Sequence, residues 1–330
     1  MASRKPRVID VHTHNYTDGW VEMLRRNGDE NVQLVQGVRY EEIENRGERV
    51  CRLSPEMTNF DLRIENMDRA GVDTAVLSLT TPHVFWGSEQ VSADTAKMVN
   101  DEYADAQARY GADRIRWFAA LPWLYPDRAL EELERAKANG AVGVCLVTNI
   151  LGEALTAERF RAIWAAVEAA DMPAFIHPTN PFVDGMGLQG HGLANTIGFT
   201  SDTSLCFARM ILDGFLDDFP NLKPIACHGG GALPYLIARF DQMWSKSQGR
   251  RKIESKPSSY LRRIWFDTIV YDQPTLEFLV QQVGADRVLY GSDYPFLIAD
   301  MEGVIERVGA LPADQAAAIY ETNAVELLKL

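Results

Sequence analysis

The sequence predicts a single α/β domain over residues 1–330, a (β/α)8 TIM barrel with inserted loops after strands 1 and 5. Three observations predict it: eight short β-branched or apolar runs, helical periodicity after each, and no glycine-rich GxGxxG turn directly after the first strand, where a dinucleotide-binding sheet carries it. The runs cover residues 7–11, 73–79, 115–121, 141–147, 173–176, 224–227, 264–269 and 287–290. An open doubly wound sheet is the structural alternative. Between the fourth and fifth runs, Phe160, Ile163, Trp164 and Val167 fall on one helical face. Before the fourth, Glu131, Glu132, Glu134, Arg135 and Lys137 coat the outside of a helix. Two connections exceed ordinary βα loop length, residues 15–61 and residues 179–201. Loops after strands build the active face of a barrel, so both are candidate lids. Residues 313–330 read as a closing helix pair, with Asp314 placed to cap its start.

Composition narrows the partners. With 33 Lys+Arg against 46 Asp+Glu, a net charge of -13 and 46% hydrophobic residues, the chain reads as a soluble enzyme. The one basic cluster is the short Arg250-Arg251-Lys252, which argues against nucleic acid or an anionic membrane as partner. No long apolar run or signal-like segment is present, and the expected location is cytoplasmic. Cys51, Cys145, Cys206 and Cys227 show no CxxC spacing and are expected to be reduced.

Of six histidines, four sit at or just beyond predicted strand ends: His12 and His14, His177, and His228. Residues i and i+2 of a strand face one side, so His12 and His14 can aim two imidazoles at one ion in the barrel mouth. Asp293, in Gly291-Ser292-Asp293-Tyr294-Pro295-Phe296, adds a carboxylate at the same face. Three imidazoles and a carboxylate suit a divalent transition metal, Zn²⁺ first and Mn²⁺ as an alternative, with a position left open for water. His228 leaves its strand into Gly229-Gly230-Gly231, which would give a substrate close backbone access, and reads as a general base rather than a residue that orients a ligand or serves as a fourth ligand. His83 and His191 lie in loop-like surroundings as lesser candidates for substrate contact. The fourth strand ends without a lysine able to bridge two metals, which points to one ion.

Taken in order, Ile9-Asp10-Val11-His12-Thr13-His14, Arg63-Ile64-Glu65-Asn66-Met67-Asp68, Phe175-Ile176-His177-Pro178, His228-Gly229-Gly230-Gly231 and Gly291-Ser292-Asp293 resemble the amidohydrolase superfamily. The resemblance is to its branch of 2-amino-3-carboxymuconate-6-semialdehyde decarboxylases and hydroxybenzoate decarboxylases, and it spans nearly the whole chain. It implies a mononuclear site held by His12, His14, His177 and Asp293, with His228 catalytic. The His-x-His of the first strand sides with the aminocarboxymuconate enzymes, whereas Thr179-Asn180-Pro181 is closer to the hydroxybenzoate enzymes. The resemblance places a substrate arginine at Arg52, with Arg46 or Arg49 as alternatives. In a dimeric enzyme of this type Arg239 would reach the neighbouring subunit's substrate, and a second such arginine falls near Ser247, so a homodimer or higher homo-oligomer is expected.

The expected reaction is cofactor-free, metal-dependent decarboxylation of a small unsaturated or aromatic carboxylate. His228 would move a proton, Arg52 would hold a carboxylate, and Asp293 would serve as ligand and proton relay. Hydrolysis or hydration through the same metal is the rival reading. An apolar slot bounded by Trp86, Trp123 and Phe296 would suit a ring or a neutral ester.

Overall fold

A computed structural model describes residues 4–179, 191–247, 249 and 251–330. Each of the eight predicted runs overlaps a strand: β1 Ile9–His14, β2 Thr74–Ser78, β3 Ile115–Ala120, β4 Gly143–Val147, β5 Ala174–His177, β6 Pro224–Ala226, β7 Trp265–Asp267 and β8 Val288–Leu289. They pair in sequence order as one eight-stranded sheet, every observed pairing parallel. The end of β8 returns to β1: Val11 N–H donates to Tyr290 O at 3.0 Å, and His14 N–H to Tyr294 O at 2.7 Å. This closure is that of a (β/α)8 barrel, not of the open sheet. Inside, the rings of Phe118 and Phe175 stack 5.3 Å apart and floor the mouth that the strand ends surround.

Some helices between the strands begin where a side chain satisfies a first-turn N–H group. Ser88 caps helix Glu89–Tyr110 and Asp272 caps helix Gln273–Val283. The apolar face at Phe160, Ile163, Trp164 and Val167 is buried as its spacing predicts. Glu132 departs from the expected solvent coat: it is buried and accepts from Asn100 Nδ2 at 2.6 Å, while Asn100 also bridges the backbone of Ala120.

The first insertion is an ordered unit rather than a bare loop. It holds helix Asp18–Asn27, three antiparallel strands, Val32–Gln36, Glu41–Asn45 and Glu48–Arg52, and the short helix Pro55–Thr58. Its sheet escaped the sequence reading because Val32, Ile43 and Cys51 are the buried residues of its three strands, too few to raise a period-two pattern. Of the second candidate lid, residues 180–190 lie outside the described residues; the chain resumes at 191 and enters helix Phe199–Leu212 through a π-helical turn, Ala194–Gly198. At the C-terminus the expected pair is one helical run with a π-helical segment, Ala318–Thr322, in its middle. Asp314 does not cap it; Pro312 holds the cap position and Asp314 lies inside the first turn. Among the described residues no helix is long and apolar enough to cross a membrane.

Candidate metal centre

The pleat of β1 turns His12 and His14 to the same side, and their Nε2 atoms lie 3.0 Å apart. His177, the last residue of β5, brings its ring to 4.6 Å from that of His14 and 5.3 Å from that of His12. Asp293, in the turn after β8, places Oδ1 3.3 Å from both Nε2 atoms. One ligand atom from each of the four residues lies within 4.8 Å of every other, and all four residues are buried.

Their outer hydrogen bonds decide what this cluster offers. His12 Nδ1–H donates to Asp267 Oδ2 at 2.6 Å, and His177 Nδ1–H to Pro178 O at 2.7 Å. Ser78 Oγ donates to Thr13 O and so accepts from His14 Nδ1–H at 2.9 Å. With each Nδ1 engaged, three Nε2 atoms converge on a carboxylate oxygen, Asp293 Oδ1, that is buried and has no hydrogen-bond partner among the described residues. A divalent cation fits this donor set: it satisfies the orphaned oxygen and replaces the crowding of facing nitrogens by coordination. Burial alone would raise the Asp293 pKa, but the facing imidazoles of His12, His14 and His228 outweigh it and hold the carboxyl well below its usual range. Burial lowers His14 to about 4. It also drives His177 well below its ordinary value, helped by the neighbouring imidazoles. Around His12 burial opposes protonation, yet Cys227 and Asp267 carry its pKa well above the usual value, so a cation arriving at its Nε2 displaces a proton.

Two residues to which sequence reasoning gave no role build the frame. Asp267, at the end of β7, orients His12 and also accepts from the backbone N–H groups of His228, Gly229 and Ile269 at 2.9–3.0 Å. A side chain on Gly291 would come within 2.7 Å of His12 Cβ and 3.2 Å of Asp267 Cβ, so this glycine is what lets the two approach. Arg63 is fully buried: Nη1 donates to Thr13 Oγ1 at 2.6 Å, Nη2 to His14 O, and its guanidinium lies 4.7 Å from the Tyr294 ring centroid. It ties the end of β1 to the turn that carries Asp293. The position of Asp267 inside a predicted strand hid its role, while Arg63 was visible as part of a motif whose purpose needed the fold.

His228 stands beside the ligand set rather than in it. Its ring is 5.0 Å from that of His12, its Nε2 is 3.7 Å from Asp293 Oδ2, and its Nδ1 is buried with no partner among the described residues. Both Asp293 (φ 61°) and His228 (φ 53°) hold left-handed backbone that a side chain disfavours, as occurs where function dictates placement. The glycines after His228 do not serve substrate access as the sequence reading expected. A Cβ at Gly231 would strike Thr200 O at 2.2 Å, and one at Gly230 the Phe266 ring at 2.7 Å, so the triplet lets protein pack on the turn.

Other candidates scatter. Phe296 lies at the site, its ring 5.3 Å from that of His14. Trp123 is wholly buried against Phe160 and Trp164, and Trp86 is buried with its ring 6.0 Å from that of Trp20, so each indole packs on other aromatic rings. Arg52 and Arg49 extend from the insertion sheet to Glu42, at 3.0 and 3.5 Å, and both side chains are more than half exposed. Arg46 takes the turn between two strands of that sheet with φ 53°. Arg239 is exposed on helix Leu233–Lys246. His191 is exposed.

The amidohydrolase family pattern matches residues 9–330. The chain belongs to this family. The γ-resorcylate decarboxylase of Rhizobium sp. (strain MTP-10005) is 32% identical over 82% of this chain and 87% of its own. The 2-amino-3-carboxymuconate-6-semialdehyde decarboxylase of Dictyostelium discoideum is 27% identical over 98% and 91%. Among solved structures, the dihydroxybenzoic acid decarboxylase of Polaromonas sp. JS666, crystallised with manganese and the inhibitor 2-nitroresorcinol, superposes with a TM-score of 0.81 at 26% identity, covering 99% of this chain and 98% of its own. The family, the barrel and the divalent metal expected from the motifs are thereby borne out.

Proposed function

We propose that this chain is a cofactor-free, metal-dependent decarboxylase of a small aromatic or unsaturated carboxylate. The observation that carries the reading is an imidazole, His228, poised at a complete His3Asp ligand set without belonging to it. The names of the relatives add a carboxy-lyase chemistry to that geometry.

His12, His14, His177 and Asp293 would hold the ion, which when bound supplies Lewis acidity to substrate oxygens. Zn²⁺ suits three imidazoles and one carboxylate, and Mn²⁺, the ion of the Polaromonas enzyme, is accepted by the same set. His228 delivers a proton to the carbon bearing the carboxylate, using a π-electron pair of the substrate. The carbon–carbon bond then breaks, its electron pair restores the conjugated system, and CO₂ departs. Asp293 Oδ2, 3.7 Å from His228 Nε2, is an anion placed to stabilise the protonated imidazole before it gives up its proton. Phe296 beside His14 gives a flat apolar wall for a ring. A homodimer is supported by Tyr235, Arg239 and Met243, which line one exposed face of helix Leu233–Lys246 at four-residue spacing. Four buried, unpaired cysteines accord with a cytoplasmic setting.

The reading is tested by mass spectrometry of products after metal-loaded protein meets a pooled panel of hydroxybenzoates, unsaturated di-acids and lactones in D₂O. Products lighter by CO₂ with one deuterium on the vacated carbon support it. Products heavier by water move the assignment to a hydrolase or hydratase.

A further inference from the structure

His83 is a buried imidazole outside the ligand set. It belongs to the segment that leaves β2, whose Thr80 Oγ1 lies 3.2 Å from His177 Nδ1 and whose Thr81 hydroxyl lies 2.8 Å from that of Thr179. The segment therefore runs over the C-terminal end of β5. His83 Nε2 lies 3.6 Å from Cys145 Sγ. Cys145 is the register partner of Phe175 and of Ala120, and partners on adjacent strands share a face. Phe175 faces the barrel interior, its ring 5.1 Å from that of His12. His83 thus enters the barrel mouth on the wall next to His177.

Its placement is over-determined. The backbone is left-handed, with φ 61°. His83 N–H donates to Thr80 O at 2.7 Å, and its carbonyl accepts from two indoles, Trp20 Nε1 at 2.9 Å and Trp86 Nε1 at 3.1 Å. The ring stacks on Phe85 at 4.6 Å. Burial pushes its pKa down to about 3, so the imidazole is neutral at working pH. The Cys145 thiol donates to Ala119 O at 3.5 Å, which leaves the sulfur to accept from His83 Nε2–H. Nδ1 is then a hydrogen-bond acceptor, buried and with no partner among the described residues. Such a group costs free energy unless something that enters the site satisfies it.

We propose that His83 Nδ1 accepts a hydrogen bond from a hydroxyl or amino group of the substrate, making His83 the residue that selects carboxylates bearing such a donor over those without one. This rests on the decarboxylase reading above. It also gives the two tryptophans a purpose: their indoles hold the His83 carbonyl and so aim the acceptor.

The test compares metal-loaded wild type, His83→Val and His83→Asn on 2,6-dihydroxybenzoate, 2,3-dihydroxybenzoate and 2-hydroxybenzoate. Metal content and melting temperature are recorded for each protein. Wild type is expected to favour one dihydroxy acid over the monohydroxy acid by about 100-fold in kcat/KM. His83→Val lowers kcat/KM for the favoured dihydroxy acid far more than for the monohydroxy acid and so abolishes that preference, and His83→Asn, which keeps an acceptor, restores part of it. Equal losses on all three acids, or an unchanged preference, overturn the proposal and make His83 a structural residue. If wild type releases no CO₂ from any of them, the decarboxylase reading fails separately. The ¹⁵N resonance of His83 Nδ1 then decides: a shift with 2,6- or 2,3-dihydroxybenzoate and none with 2-hydroxybenzoate upholds the acceptor role, and no shift with either dihydroxy acid, or an equal shift with all three, overturns it.

Discussion

The rim formed by the ends of β1, β5 and β8 and the three-stranded sheet of the first insertion hold their polar groups in opposite ways. On the rim, register and burial fix each metal-facing imidazole by an outer hydrogen bond, to Asp267, Ser78 or the Pro178 carbonyl, and every ligand is fully or nearly enclosed. In the insertion, Arg49 and Arg52 share Glu42 and leave 54% and 62% of their side chains in solvent. Groups that must meet a cation within tenths of an ångström sit on strand ends, where the barrel cannot let them drift. Long side chains on an exposed sheet keep their rotamer freedom and hold a salt bridge of little strength.

If that contrast is sound, substitutions should rank by region. His177→Ala removes a ligand with no substitute nearby, and turnover should fall by about three orders of magnitude with loss of the bound ion. Elemental analysis beside a CO₂ assay checks it, and a fully loaded, active variant would break the contrast. Asp267→Asn leaves the ligands in place but weakens the acceptor for His12 Nδ1–H. Metal affinity should drop by about 10- to 100-fold, read by competition with a chromophoric chelator.

Asp202 sharpens the comparison from behind β5. It accepts from Thr148 Oγ1 and from Thr179 N at 3.1 Å, and burial pushes its carboxyl up from 3.8 to about 6. A carboxyl whose folded pKa is raised keeps its proton in the folded state where the unfolded chain has lost it. Stability should therefore fall as pH rises from about 4 to 6, by on the order of 2–3 kcal/mol from this group. Urea midpoints across that window should vary less in Asp202→Asn, and an identical slope would remove Asp202 as the cause. Smallest of all, Arg52→Ala should change stability by less than about 1 kcal/mol. A loss of more than about tenfold in kcat/KM would instead show that Arg52 leaves Glu42 to bind the substrate carboxylate.

The same division explains what the sequence made legible. Strand runs, the His-x-His spacing and Asp293 were readable because a buried parallel strand must be apolar and its end must face the barrel mouth. Asp267 was not, since a carboxylate inside a strand run looks like any other polar residue until closure sets it beside His12. Trp86 and Trp123 looked like walls of a pocket because aromatic side chains serve cores and ligands alike. Burial separated the uses: Trp123 fills the core, and Trp86 pins the His83 backbone. The glycine triplet misled for a related reason, since close approach of protein and close approach of substrate call for the same missing Cβ.

The central claim is a division of labour: four residues hold the ion and His228 moves the proton. The most direct test is bound metal and CO₂ release measured on the same sample of His228→Asn. The account predicts one ion per chain, as in wild type, with turnover lower by about two to four orders of magnitude. Loss of the ion would make His228 a ligand, and turnover close to wild type would take the proton transfer away from it.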